Sequence, residues 1–175
     1  LRENGDYLPT QDDGGCSFYV GTVSYEENAS RTPVPYVLPP GIVRETAYGM
    51  TAQMYEENEQ SVTMKVVDLP DGDSRAIYKS TSYDLRQFNN LQMYIHAEDV
   101  FSSGDLRTGD VTAFIRLGSD FTENYYEYEI PLKLTPWFTP ATNKEAIWPE
   151  INNLDILLED LVTVKSNRNA AMHQP

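Results

Sequence analysis

The chain has 175 residues, of which 40% are hydrophobic, enough for one domain built around one core. Lys plus Arg number 13 against 27 for Asp plus Glu, and the formal net charge of -14 excludes a binder of phosphate backbones and opposes docking on anionic lipid. A lone cysteine, Cys16, rules out an internal disulfide framework, and with His96 and His173 as the histidines a Cys/His zinc site has too few ligands.

Residues 1–16 are polar and rich in Gly, Asp and Asn, which predicts a loose lead-in. A first strand is expected from Phe18 to Tyr25. Pro33, Pro35, Pro39 and Pro40 remove donors and fix φ, so residues 33–40 read as an extended connector or edge segment. The pattern then turns to period two. Val62, Met64 and Val66 alternate with polar neighbours, as do Leu91, Met93 and Ile95. Val111, Ala113, Ile115 and Leu117 form a third such set, and Tyr126, Tyr128 and Ile130 a fourth. Residues 76–79 add a shorter run. Turn chemistry at Asp71-Gly72-Asp73, Ser103-Gly104-Asp105 and Gly109-Asp110 separates these runs.

The expected fold is therefore mainly β, an antiparallel, jelly-roll-like β-sandwich over 17–165. Val62, Val66, Met93, Ile95, Ala113 and Ile115 are expected to face inward. Asp84–Asn90 reads as a helical turn leading into a strand. One short C-terminal helix is expected at 155–162, capped by Asp155 with Leu157, Leu158 and Leu161 on one face. Residues 166–175 read as a disordered tail. No apolar run reaches the roughly 20 residues of a membrane helix. With no signal peptide and Leu1 in place of Met, the chain reads as a piece of a longer protein.

Candidate chemistry is sparse. Asp68, Asp71 and Asp73 surround a tight turn whose oxygens could hold calcium. Pro70 and the missing bidentate Glu break the calcium-loop spacing, so a solvated turn with no metal is expected, Arg75 pairing one aspartate. His96 lies mid-strand and reads as structural. Ser119-Asp120 lacks the Gly-x-Ser-x-Gly elbow of a hydrolase. No catalytic residue, metal ligand or cofactor is assigned. Trp137 and Trp148 lie in Pro-bordered loops, where they serve as interface anchors, as stacking platforms for sugar rings or as packing residues.

Longer strings carry more information. They are residues 35–42 (Pro-Tyr-Val-Leu-Pro-Pro-Gly-Ile), 71–79 (Asp-Gly-Asp-Ser-Arg-Ala-Ile-Tyr-Lys) and 113–121 (Ala-Phe-Ile-Arg-Leu-Gly-Ser-Asp-Phe). Residues 124–133 (Asn-Tyr-Tyr-Glu-Tyr-Glu-Ile-Pro-Leu-Lys) and 147–150 (Ile-Trp-Pro-Glu) complete the set. Together, over roughly 18–165, they resemble the SprA/Sov family of giant outer-membrane proteins of Bacteroidetes, associated with gliding motility and type IX secretion. The resemblance implies a soluble, non-catalytic domain of a very large β-barrel conduit. It implies as partners the rest of the parent barrel, a PorV-like barrel protein, a plug protein and secreted cargo, and no nucleic acid. It places the domain at the outer membrane, on the periplasmic or the extracellular side. The rival reading from the residues alone is a carbohydrate-binding jelly-roll module at the cell surface, which requires exposed, coplanar aromatics.

Overall fold

The structure is a computed structural model. It describes the chain apart from residues 1, 4–5, 14, 49–53, 102–103, 121 and 173–175, with the backbone alone for 2–3, 6–13, 48 and 86. The expectations for Ser103 in its turn and for His173 lie outside the described residues. In chain order the strands are β1 (Arg2–Glu3), β2 (Asp6–Asp13), β3 (Cys16–Ser24), β4 (Thr46–Tyr48), β5 (Met54–Glu56), β6 (Gln60–Val67), β7 (Asn90–Met93), β8 (Thr112–Gly118), β9 (Tyr125–Pro131) and β10 (Leu154–Leu157). The helices are α1 (Tyr25–Asn28), α2 (Lys144–Ile147) and α3 (Leu158–Met172). All pairings are antiparallel, in small sheets, and among the described residues none closes into a barrel. The chain divides into two compact units, Leu1–Ser80 with Trp137–Ile147, and Thr81–Pro136 with Trp148–Pro175.

In the first unit the sheet order is β1-β2-β3-β6, and β4 pairs with β5. The polar segment read as a lead-in is largely strand: β2 pairs with β3, Leu8 opposite Val20 and Asp12 opposite Ser17. A ladder that satisfies β3's backbone outweighs the low strand propensity of Asp and Pro. β3 turns directly into α1 because Ser24, with extended φ and ψ, caps it. The Ser24 Oγ accepts from the Glu27 N–H at 3.3 Å, and the Asn28 Oδ1 accepts from the Ser24 N–H at 2.9 Å. The proline-rich connector makes no strand, but it is deeply packed: Val34, Tyr36 and Val37 are buried.

β3 and β6 pair in continuous register from Ser17↔Val67 to Ser24↔Gln60. Here the expected facing fails. Val62 is 60% exposed and Met64 55%, while Val66 is half-buried. Period two tells which side chains share a face, but not whether anything covers that face. Residues 76–79 form no strand and lie exposed.

In the second unit β7 pairs with β10, and β8 with β9. In the β8–β9 pair Ala113 opposes the buried Ile130 and Ile115 opposes Tyr128; Ala113 and Ile115, expected inside, are half-buried, and Tyr128 is exposed. Ile130, Leu132 and Leu154 form a buried cluster, against which Ile95, Ala97, Val111, Ala113 and Ile115 pack half-buried. Met93, expected inside, is 41% exposed at the end of the short β7 ladder. The helical turn expected before β7 is present at Leu85–Gln87.

The helix expected at 155–162 is corrected. Leu154–Leu157 is strand β10, with Leu154 and Ile156 buried and Asp155 and Leu157 exposed, a period-two pattern. Asp155 caps nothing. Its carboxylate accepts from the Asn90 and Gln92 side-chain amides across the ladder, at 3.2 and 3.1 Å. Helix α3 begins at Leu158, whose N–H reaches the Asn89 carbonyl at 2.9 Å, and it runs through the segment read as a tail as far as Met172.

Candidate functional site

The acidic turn follows β6. Asp68 has φ 55°, Gly72 has φ 79°, and the Asp73 N–H closes the turn on the Pro70 carbonyl at 3.0 Å. All three aspartates are exposed, and Arg75 pairs with Asp73 at 3.5 Å. Among the described residues no group of three His, Cys, Asp or Glu side chains is placed to hold a metal ion. Cys16 is buried at the start of β3, where burial keeps its thiol from reagents in solvent.

The tryptophans fare differently. Trp148 is 6% exposed and meets the rings of His96 and Tyr94 edge-on, at 5.9 and 6.4 Å between centroids. A ring so enclosed packs the fold and has no open face for a sugar. His96 completes this cluster: its Nδ1 lies 3.2 Å from the Thr135 Oγ1, its Nε2 3.4 Å from the Glu98 carboxylate. Trp137 is half-buried, with Phe138 beside it at 6.0 Å and 88°, and Phe138 is 72% exposed at φ 62°. A perpendicular pair is not a coplanar platform, but it leaves aromatic surface in solvent.

Several polar constellations involve residues that the sequence pattern does not single out. The buried Tyr36 hydroxyl donates to the Glu59 carboxylate and lies 2.7 Å from the Ser61 Oγ. Burial, then the Glu59 hydrogen bond, pushes the Tyr36 phenol up to about 12. Arg44 staples α1 to β5: it meets the carboxylates of Glu26 and Glu56 and the Glu57 carbonyl, with Tyr25's ring 5.4 Å away. Asp120 organises the β8–β9 loop. Its Oδ1 accepts from the N–H groups of Thr122, Glu123 and Asn124 at 3.0, 2.7 and 3.0 Å, and its Oδ2 from the Asn124 side chain at 2.6 Å. These donors hold its carboxyl well below the usual carboxylate range. A carboxylate so occupied serves its own loop, and Ser119 beside it sends its N–H to the Asn124 carbonyl. The signal for this clamp is an Asp followed by Thr, Glu and Asn between two strand patterns.

On the outer face of the β8–β9 hairpin Arg116 lies over the rings of Phe114 and Tyr125, at 5.1 and 4.4 Å, and pairs with Glu127. Aromatic and aliphatic side chains such as Phe138 and Val62 stand in solvent, and Arg44 and Asp120 hold local backbone.

Among the described residues no helix is long and apolar enough to cross a membrane. No curated protein matches the chain. The model of the SprA_N family, described as motility related/secretion protein, matches residues 2–174. Spanning nearly the whole chain, that match shows that the chain belongs to the SprA_N family of motility- and secretion-related proteins.

Proposed function

We propose that this chain is a non-catalytic structural and interaction domain of a giant outer-membrane translocon serving type IX secretion and gliding motility in Bacteroidetes. The family match over 2–174 carries this reading. The surface supports it. Large side chains such as Tyr78, Tyr83, Phe101 and Phe138 are each at least 66% exposed, as in a domain that works by contact. The two-stranded sheets β4-β5, β7-β10 and β8-β9 are small for independent stability, and we propose that they complete a sandwich-like layer in the parent. The partners are the rest of the parent barrel, a PorV-like barrel protein, a plug protein or cargo, at the periplasmic or extracellular side of the outer membrane.

Deleting residues 18–165 from the parent tests this. Secretion or partner assembly fails if the domain acts by contact, and the isolated chain shows no hydrolytic turnover. Trp137→Ala is the first point change, because Trp137 is only half-buried. Trp148→Ala instead tests the core, where truncating a buried Trp costs about 3–5 kcal/mol. Intact secretion after the deletion, with the parent still abundant, sinks the proposal. So does one carboxylate substitution that abolishes function while folding and partner binding persist.

A further inference from the structure

Among the described residues β6, whose one charged side chain is Lys65, is the last strand of its sheet. It runs for eight residues, Gln60 to Val67, without proline. Its hydrogen-bond phase follows from the Tyr25 N–H, which donates to the Glu59 carbonyl at 3.0 Å one step beyond the Ser24↔Gln60 pair. That bond sets the phase of the ladder, because residues whose backbone groups bond the neighbouring strand alternate along an antiparallel pair. Ser61, Thr63, Lys65 and Val67 therefore turn their backbone groups toward β3. Gln60, Val62, Met64 and Val66 turn theirs outward, away from β3.

The same alternate residues carry the exposed apolar side chains, Val62 at 60% and Met64 at 55%. Backbone donors and acceptors at strand spacing, beside an apolar face at the same spacing, are what a joining strand requires. Both ends of the edge are acidic: Glu57 precedes it and Asp68 and Asp71 follow it, all exposed. Its one cation, Lys65, lies over the Tyr19 ring at 5.8 Å.

We infer that the outer edge of β6 is a docking site for an extended polypeptide strand of another chain, with apolar residues at alternate positions and Lys or Arg at its ends. Backbone pairing supplies affinity, Val62 and Met64 supply packing, and the flanking carboxylates select basic ends. The inference gives a partner class to the contact reading above, but its geometry stands without the secretion assignment.

The test uses the whole 175-residue chain and a synthetic peptide, Lys-Val-Thr-Val-Thr-Val-Thr-Val-Lys. The control is the same peptide fully N-methylated, with equal charge and side chains but no backbone donors. In amide-resolved NMR titrations the unmodified peptide is expected to shift residues 60–67 saturably, and the N-methylated form to bind at least tenfold more weakly. Val62→Lys with Met64→Lys is expected to weaken binding at least tenfold while leaving the spectrum of the second unit unchanged. Met64→Pro is the second variant, since it removes an outward donor and no β3 bond. Equal binding of both peptides shows charge attraction alone and overturns the inference. So do shifts confined to other residues, or no binding at millimolar peptide. A parent deletion that spares secretion while the peptide still docks refutes the secretion reading and leaves this edge intact.

Discussion

Replacing Asn152 by alanine removes the side chain that joins Glu150–Asn152, a single 3-10 turn, to the backbone of Lys133, two residues beyond the end of β9. Asn152 is 0% exposed. Its Oδ1 accepts from the Lys133 N–H at 2.7 Å and its Nδ2 donates to the Lys133 carbonyl at 2.9 Å, so one amide stands in for a strand neighbour. Each such bond is worth about 0.5–1.5 kcal/mol net, and a stranded buried group costs about 1–3 kcal/mol, which puts Asn152→Ala at about 2–4 kcal/mol. Urea unfolding read by tryptophan fluorescence measures it, with Trp148 four residues away in the same unit. Asn152→Asp is the informative companion. Ionised, it keeps the Lys133 N–H bond but sets a second oxygen against the Lys133 carbonyl, in a site that raises its carboxyl above the ordinary value. A raised acid is stabilised in its protonated form, so the deficit is largest at neutral pH and shrinks as pH falls through the folded value. An alanine variant within about 0.5 kcal/mol of the parent, the scatter of neutral surface changes, refutes the strand-neighbour role. So does an aspartate variant whose deficit is independent of pH.

Tyr36→Phe strands the Glu59 carboxylate and is expected to cost about 1–3 kcal/mol. The Tyr36 phenol lies at about 12, above its ordinary value of 10.0, so its contribution is complete below that ordinary value and lost as pH rises from it towards 12, a loss that alkaline urea titrations show for the parent and not for Tyr36→Phe. Asp120 is shifted the other way: its stabilisation is present above the ordinary carboxylate range and fades as pH falls toward its lowered folded value. The difference in urea midpoint between the parent and Asp120→Ala should therefore narrow on acidification, and a constant difference contradicts the clamp. Gly118→Ala places a Cβ 2.2 Å from the Asn124 carbonyl oxygen and 2.5 Å from the Tyr125 Cα. Those neighbours are backbone, so the hairpin must distort, at about 1–3 kcal/mol by the usual cost of overpacking. Amide exchange across 112–131 reads that loss, and unchanged protection there contradicts it.

Local pattern carried a definite part of this protein. The alternation of Ala113 and Ile115 with Thr112, Phe114 and Arg116 located β8, because the hairpin's two strands are joined by a short loop whose turn residues are local. The same alternation located β6 but misplaced its face, since what covers Val62 and Met64 depends on strands distant in sequence. Leu154 and Ile156 alternate as a strand should, yet Leu157, Leu158 and Leu161 also satisfy a helical period, and overlapping periods cannot be separated without β7. Charge and the scarcity of Cys and His bound the chemistry through composition alone, because those quantities need no fold.

Trp148 shows the division most sharply. A Pro-bordered tryptophan is equally fit for a surface or a core, and the arrival of His96 and Tyr94 on it decides for the core. Asp120 lies nearer the sequence end of the scale, its partners being two to four residues away. Tyr36 with Glu59 and Asn152 with Lys133 lie at the other end, 23 and 19 residues apart. Composition and periodicity determine which side chains of a strand share a face and which classes of ligand are repelled, since both act through neighbours and total charge. Only the tertiary structure decides which apolar face is buried, which edge stays open and which polar groups find partners, because each is settled by chain segments that sequence order does not place side by side.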